Sequence, residues 1–143
     1  AQTPPGHSGM GTTLSANALA LAAMRATLEH VMTPEAYRHM ERLAGLLAEG
    51  LQETVTVRRL PWHVARVGAR VEFVCAPGPL RNGTQAEAAH APALEQAIHL
   101  ALLNRGCLIA PFHNMMLACP ATTETQVARL QDAFAAVTDS LVS

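Results

Sequence analysis

The stretch that decides the fold is residues 60–75, which read LPWHVARVGARVEFVC. From Val64 onward, apolar residues alternate with polar or small ones, which is the period-two pattern of a β-strand with one buried face. Gly68 interrupts the pattern midway, and the sequence Pro77-Gly78-Pro79 ends it. We therefore predict two antiparallel strands joined by a tight turn near Gly68.

Helical patterns lie on both sides of this hairpin. Upstream, residues 17–32 are rich in Ala and Leu, which predicts a helix buried on most of its surface. A second helix is predicted over about 34–53, with Thr33 as its N-cap. Downstream, a polar loop over about 80–90 leads to a third helix.

The second half of the chain repeats the alternation of helices and strands. The third helix is predicted over about 92–104 and ends at Gly106. Two short strands are expected at about 107–110 and 115–119. The last helix should begin at the cap formed by Thr122, Thr123 and Glu124 and run nearly to Ser143, with an apolar stripe of Val127, Leu130, Phe134, Val137 and Leu141. This order predicts an α+β fold, in which helices cover one face of a small antiparallel sheet.

Composition excludes several classes of function. The formal net charge is -1 and the ten basic residues are scattered, so there is no basic field for nucleic acid or an anionic membrane. Arg25 and Glu29 interrupt the best candidate for a membrane span. The seven histidines lack metal-ligand spacing, and no metal site is predicted. The three cysteines lie in apolar runs, which favours small buried core residues in a reducing, cytoplasmic compartment.

Two segments resemble a known enzyme family. Residues 11–20, GTTLSANALA, are similar to the G-T-L-S-G-N-P-L-A segment of class III pyridoxal-phosphate (PLP) aminotransferases. Residues 103–111, LNRGCLIAP, are similar to a late R-G-V-x-L-x-P segment of that family, especially of its glutamate-semialdehyde aminomutase and β-amino-acid aminotransferase branches. The resemblance extends from Gly11 to the last helix.

The resemblance implies one part of a larger enzyme. Residues 1–16 would be a loop from the large domain that carries the cofactor-phosphate motif, and residues 17–143 would be the linking helix and the C-terminal small domain of the aspartate-aminotransferase fold. The family holds PLP as a Schiff base on a lysine, but all ten basic residues of this chain are arginines. The chain alone therefore has no catalytic residue of that kind, and the implied partners are the large-domain part, a second subunit and an amino acid substrate.

The same resemblance implies a role for two threonines. In the family motif, the threonine four residues before the asparagine donates to the PLP phosphate of the neighbouring subunit, and that position is Thr13 here, with Thr12 beside it. Hydroxyl and backbone N–H donors at a helix entrance suit an anion. Without the family, Thr12, Thr13 and Ser15 are also consistent with N-caps of the following helix, and Asn17 suits either role.

A second group of candidates lies between the two last predicted strands. Related enzymes place residues that border the substrate pocket there, which implies such a role for His113 and Asn114, although both types are also common turn formers. Ala110 occupies the position where many relatives carry an arginine for the substrate carboxylate. Arg105 is a weaker candidate for that role, and we interpret it as a cation at a helix C-terminus.

Two hypotheses remain open on the sequence alone. The chain is either the C-terminal segment of a PLP-dependent aminotransferase or aminomutase, or a stand-alone binding domain that has the small-domain fold without the catalytic half.

The absence of lysine yields the first testable prediction. With no side-chain amine to form a Schiff base, the isolated chain should bind no PLP covalently, so it should lack the yellow absorbance of a protonated Schiff base. Borohydride treatment followed by intact-mass measurement checks this. A reducible, mass-shifted PLP adduct on any side chain would contradict the prediction.

Overall fold

The computed structural model describes residues 17–110 and 114–142. Thr12, Thr13 and His113 lie outside these residues. The chain divides into two compact units, Ala1–Pro34 and Glu35–Ser143. Among the helices within the described ranges, none is both long and apolar enough to span a membrane.

The first unit contains helix α1, Ala18–His30. Asn17 caps it, because its side-chain oxygen accepts a hydrogen bond from the Ala20 N–H at 2.9 Å. None of its residues is buried, so the expectation of burial on most of its surface is wrong for this chain. Its large apolar side chains are exposed instead; these are Leu19, Leu21, Met24 and Leu28, followed by Val31 at the C-cap.

The predicted hairpin is confirmed. Strands β1, His63–Val67, and β2, Arg70–Val74, pair antiparallel with Val67 opposite Arg70. The turn has Gly68 at φ +55°, a conformation that glycine adopts without strain. The third strand, β3, is Met115–Leu117, and it pairs antiparallel with the other side of β2. The sheet therefore has the order β1–β2–β3.

Two long helices of the second unit lie side by side and run in the same direction. Helix α2 is Pro34–Val57 and buries one stripe against the core. Side-chain hydrogen bonds connect the last helix, Glu124–Val142, to α2 and to Arg58 just after it: Arg42 donates to Glu124, Gln131 to the Leu46 carbonyl, and Arg58 to Asp139. Thr123 and Gln126 begin this last helix with reciprocal side-chain to backbone hydrogen bonds, which form a capping box.

A further helix, Pro92–Asn104, is the one predicted third. As predicted, Gly106 terminates this helix. Its φ of +75° allows a Schellman turn. The Cys107 N–H donates to the Leu102 carbonyl and the Gly106 N–H to the Leu103 carbonyl, both at 2.9 Å.

The core lies between the helices and one face of the sheet. Phe73 of β2 and Phe134 of the last helix have ring centroids 5.0 Å apart, and Trp62 stacks on Phe73 at 6.2 Å. Val71 and Met116 come from the same sheet face and are buried in this cluster, whereas Leu117 points to the other face and is exposed. The prediction of an α+β fold with helices on one face of a small antiparallel sheet is confirmed.

Two local predictions are wrong. The segment predicted as a loop over 80–90 contains a short helix, Gly83–Ala88, which Asn82 caps by accepting from the Gln85 N–H at 2.9 Å. In chain order the helices are thus α3, Gly83–Ala88; α4, Pro92–Asn104; and α5, Glu124–Val142. The segment 107–110 is extended but forms no strand, because its only backbone bond toward β3 runs from the Ala110 N–H to the Met115 carbonyl at 3.1 Å.

The cysteines differ from one another. Cys107 is buried as predicted, Cys75 is half-buried and Cys119 is exposed, so burial of all three is wrong. Burial raises the pKa of the Cys75 thiol to about 12. Cys119 lies in the turn before α5, where a hydrogen bond from the Thr122 hydroxyl lowers its pKa.

The predicted stripe of α5 supports a comparison of two variants. Phe134 is 1% exposed and Leu141 is 43% exposed, so their truncations should differ. Phe134→Ala should lower the free energy of unfolding by about 3–5 kcal/mol through lost contacts and a cavity, whereas Leu141→Ala should cost less than about 1 kcal/mol. Urea unfolding followed by circular dichroism measures both. Equal losses in the two variants would contradict this assignment of the core.

Candidate functional site

Asn114 is the predicted site residue that the structure describes. It is 6% exposed, and its φ of +43° lies in the left-handed region. Its side-chain amide donates to the Phe73 carbonyl at 3.3 Å, which ties the turn before β3 to the middle of β2. Asparagine tolerates this backbone conformation better than most residues do. The turn geometry alone therefore favours asparagine at position 114.

Asn114 lines a small pocket of about 100 Å³ together with polar and apolar side chains. Its other polar lining residues are Glu72 of β2, Glu95 of α4, and His90, which precedes α4. Glu95 accepts from the Ala91 N–H at 3.1 Å, and its carboxylate lies 3.9 Å from the His90 ring. The Glu72 carboxylate pairs with Arg70 at 2.6 Å, so the pocket has room for a water-sized polar group that would donate to the carboxylate oxygens left over.

This grouping is not predictable from the sequence. The histidines lack metal-ligand spacing, and no local motif contains Glu72 or Glu95. The pocket joins β2, the turn at Asn114 and the start of α4, which are distant in sequence, so no local spacing could have revealed it. In the described part of the chain, no group of three or more His, Cys, Asp or Glu residues could hold a metal ion.

A larger, apolar cleft of about 490 Å³ lies elsewhere in the second unit. Its floor comes from α2 and α5, and its walls are the extended segment 107–110 and strand β3. We call it the apolar cleft; its principal lining residues are Leu43, Leu47, Ile109, Met116, Val127 and Leu130. Ala110, the position where the resemblance places an arginine in many relatives, also lines this cleft.

Two arginines lie at the Gly106 end of the apolar cleft. Arg129 of α5 lines it and donates to the Arg105 carbonyl at 3.3 Å. The Arg105 guanidinium itself donates to the Ala101 carbonyl at 3.1 Å, in the last turn of α4. This contact agrees with the interpretation of Arg105 as a cation at a helix C-terminus, where it favours the helix dipole.

The structure thus brings Asn114 together with Glu72, His90 and Glu95, and it separates them from Arg105. The positions of Thr12, Thr13 and His113 lie outside the described residues, so their proximity to one another stays a prediction. Nothing in the described geometry supplies an amine nucleophile, because the chain contains no lysine.

The curated proteins most similar in sequence to this chain include several glutamate-1-semialdehyde 2,1-aminomutases. No protein-family model matches the chain. A glutamate-1-semialdehyde 2,1-aminomutase from Thermomicrobium roseum is 35% identical over 108 residues, which cover 76% of this chain and 25% of the relative. One from Anaeromyxobacter sp. (strain K) is 34% identical over 128 residues, which cover 88% of this chain and 29% of the relative. The chain therefore spans about a quarter of the length of these curated relatives.

Solved structures agree with these sequences. A glutamate-1-semialdehyde aminomutase from Pseudomonas aeruginosa PAO1, in complex with PMP, superposes with a TM-score of 0.89 and 46% identity over 98% of this chain and 32% of that one. A β-phenylalanine aminotransferase from Variovorax paradoxus shares the fold, with a TM-score of 0.81 at 21% identity over 92% of this chain and 30% of that one. By sequence and by fold, the chain matches one segment of class III PLP-dependent aminotransferases, which makes up about a quarter to a third of their length.

Proposed function

We propose that the chain is the C-terminal small domain of a PLP-dependent enzyme that exchanges an amino group between substrates, or moves one within a substrate, as an aminotransferase or an aminomutase. The observation that carries this proposal is the 46% identity to the Pseudomonas aeruginosa aminomutase, which extends over 98% of the chain at a TM-score of 0.89. Similarity of that extent covers the whole segment and not one motif. It favours an enzyme part over the stand-alone binding domain.

The residues of this chain fit only part of a PLP site. PLP, when bound, acts as an electron sink for the substrate carbon. The chain offers no lysine to hold it, so that residue must come from the part of the enzyme that the relatives carry beyond this segment. The role left to this chain is to bind the phosphate and to shape the substrate pocket.

Phosphate binding is assigned in this proposal to Thr13, with Thr12 beside it. A phosphate dianion binds through hydrogen-bond donors, and a threonine hydroxyl at the entrance of α1 is such a donor. The support is the family motif over residues 11–20 together with Asn17, which caps α1 within that motif, four residues after Thr13.

We assign His113 and Asn114 to a border of the substrate pocket. The support is the hydrogen bond from Asn114 to the Phe73 carbonyl, which fixes the position of Asn114 relative to β2; His113 is assigned as its neighbour in the sequence. In this assignment Asn114 is a positioning residue for the turn. The substrate is proposed to be an amino acid, as the name of the aminomutase relatives suggests.

The assembly proposed for the enzyme is a homodimer. The exposed apolar residues of α1, such as Leu19 at 80% and Leu28 at 60% exposure, support a contact with the large domain or with a second subunit. Free thiols at Cys75, Cys107 and Cys119 suit the cytoplasm as the compartment of such an enzyme.

The phosphate assignment predicts the effect of one substitution. Loss of a hydroxyl donor to a charged acceptor costs about 1.5–3 kcal/mol, so Thr13→Val in the complete enzyme should weaken PLP affinity roughly ten- to a hundredfold while folding stays intact. Excess PLP should restore the bound state. Fluorescence titration of the apoenzyme measures the affinity, with Thr27→Val as the control because Thr27 donates within α1. Unchanged PLP affinity in Thr13→Val would contradict the assignment.

The positioning role of Asn114 predicts a graded effect of two variants. Asn114→Gly removes the hydrogen bond to Phe73 and should lower the free energy of unfolding by about 0.5–1.5 kcal/mol. Asn114→Ala removes the same bond and also strains the left-handed backbone, so it should cost about 1–2 kcal/mol more. Urea unfolding of the chain measures both. An alanine variant at least as stable as the glycine variant would show that the turn does not hold this conformation.

A further inference from the structure

The two walls of the apolar cleft meet at Ala110, where one backbone hydrogen bond joins the segment 107–110 to β3. The Ala110 N–H donates to the Met115 carbonyl at 3.1 Å, which places the segment 107–110 antiparallel to β3 at this point. The next pair in this register would be Leu108 and Leu117, and no backbone hydrogen bond joins these two residues. The segments therefore present facing backbone groups across an open slot instead of completing a four-stranded sheet.

Large apolar side chains mark the rim of this slot. Leu108 is 78% exposed and Leu117 is 65% exposed. The floor below them is also apolar, formed by buried residues of α2 and α5 such as Leu43 and Val127. The volume of about 490 Å³ is in the range that holds a ligand or several side chains. Open apolar surface of this kind on a folded domain indicates a surface that another element covers.

The positive charge of Arg129 at one end of the apolar cleft indicates which side chains the covering element should carry. The Arg129 guanidinium lines the cleft, and the Arg105 guanidinium lies in the neighbouring turn. Over residues 17–110 and 114–142, neither has a carboxylate within 4.0 Å, whereas Arg42 and Arg58 each pair with an acid on α5. An element that covers the cleft would remove Arg129 from water, so it should bring an acidic side chain to this end.

We propose that the apolar cleft is the docking site of an extended segment from the part of the enzyme that lies outside this chain. The segment pairs its backbone with the free groups of Leu108 or Leu117, inserts apolar side chains toward α2 and α5, and places a carboxylate at Arg129. The inference rests on the proposed function, because the relatives supply the missing length: this chain spans 25% of the Thermomicrobium roseum enzyme and 32% of the Pseudomonas aeruginosa one.

Hydrogen exchange tests this docking directly. In the complete enzyme, the backbone amides of Leu108 and Leu117 should exchange at least tenfold more slowly than those of an unstructured peptide of the same sequence, since the docked segment accepts or shields them. The amide of Leu100, which is bonded within α4 whether or not a segment docks, is the protected reference. Exchange of Leu108 and Leu117 at the unstructured rate would overturn the proposal.

Two substitutions in the complete enzyme provide a second measurement. Leu117→Asp should raise the exchange rates of the 107–110 amides at least fivefold, because it places a charge on β3 beside the edge where the docked segment would pair. Leu100→Asp is the matched control: Leu100 is 57% exposed and lies outside the cleft, so its substitution should leave those rates within twofold. Arg129→Gln should also raise the exchange rates of the 107–110 amides at low salt, because it removes the charge that would pair with the docked carboxylate. Arg81→Gln is its control, because Arg81 is exposed and does not line the cleft. Indistinguishable rates in Leu117→Asp and Leu100→Asp would overturn the proposal.

The PLP content of the same complete enzyme separates this inference from the proposed function. Bound PLP with unprotected cleft amides would overturn the docking site and leave the proposed function intact. Absence of PLP from a folded complete protein would contradict the proposed function, while protection of Leu108 and Leu117 would still report docking at the cleft.

Discussion

The contact between Phe73 of β2 and Phe134 of α5 is the interaction on which the other elements of the second unit depend. The two rings have centroids 5.0 Å apart and both are almost completely buried. Trp62 adds a third ring from the segment before β1. Aromatic side chains contribute the largest buried areas of any residues, and only three phenylalanines and one tryptophan occur in the chain. Most of these few aromatics therefore hold the sheet against the helices.

Ion pairs between α2 and α5 have a smaller role. Arg42 pairs with Glu124 and Arg58 with Asp139, and the Arg58 guanidinium lowers the pKa of the Asp139 carboxyl. The carboxylates of both pairs are well exposed to water, which weakens their contribution to stability. The pairs are consistent with the parallel arrangement of the two helices. Burial of apolar residues against the sheet provides most of the free energy that stabilises their packing.

Sequence reasoning predicted the elements whose signals are local. The hairpin follows from alternation around Gly68, and the end of α4 follows from Gly106 at a positive φ. The short helix α3 was missed because its Asn82 cap occurs in a polar segment that contains no apolar stripe. The strand at 107–110 was predicted from its apolar composition, but a strand also needs a partner, and Leu108 has no backbone bond to β3.

The candidate site was less predictable than the fold. Thr13 and His113 were identified through resemblance to a family and not through physical pattern. The surroundings of Asn114 depend on a hydrogen bond to Phe73, 41 residues earlier, and on α4 packing near both. Such contacts are set by tertiary structure, so spacing within the sequence carries no trace of them. The absence of lysine, by contrast, is certain from the sequence and excludes a Schiff-base lysine within these residues.

The most direct test of the account is the intact mass and PLP content of the protein that carries this sequence, isolated from its native cells under non-denaturing conditions. The account predicts a polypeptide roughly three to four times the 15.2 kDa of this chain, in keeping with the 25–32% coverage of its relatives, with PLP attached to a lysine outside these residues. A stable species of 15.2 kDa without PLP would contradict it and favour a binding domain.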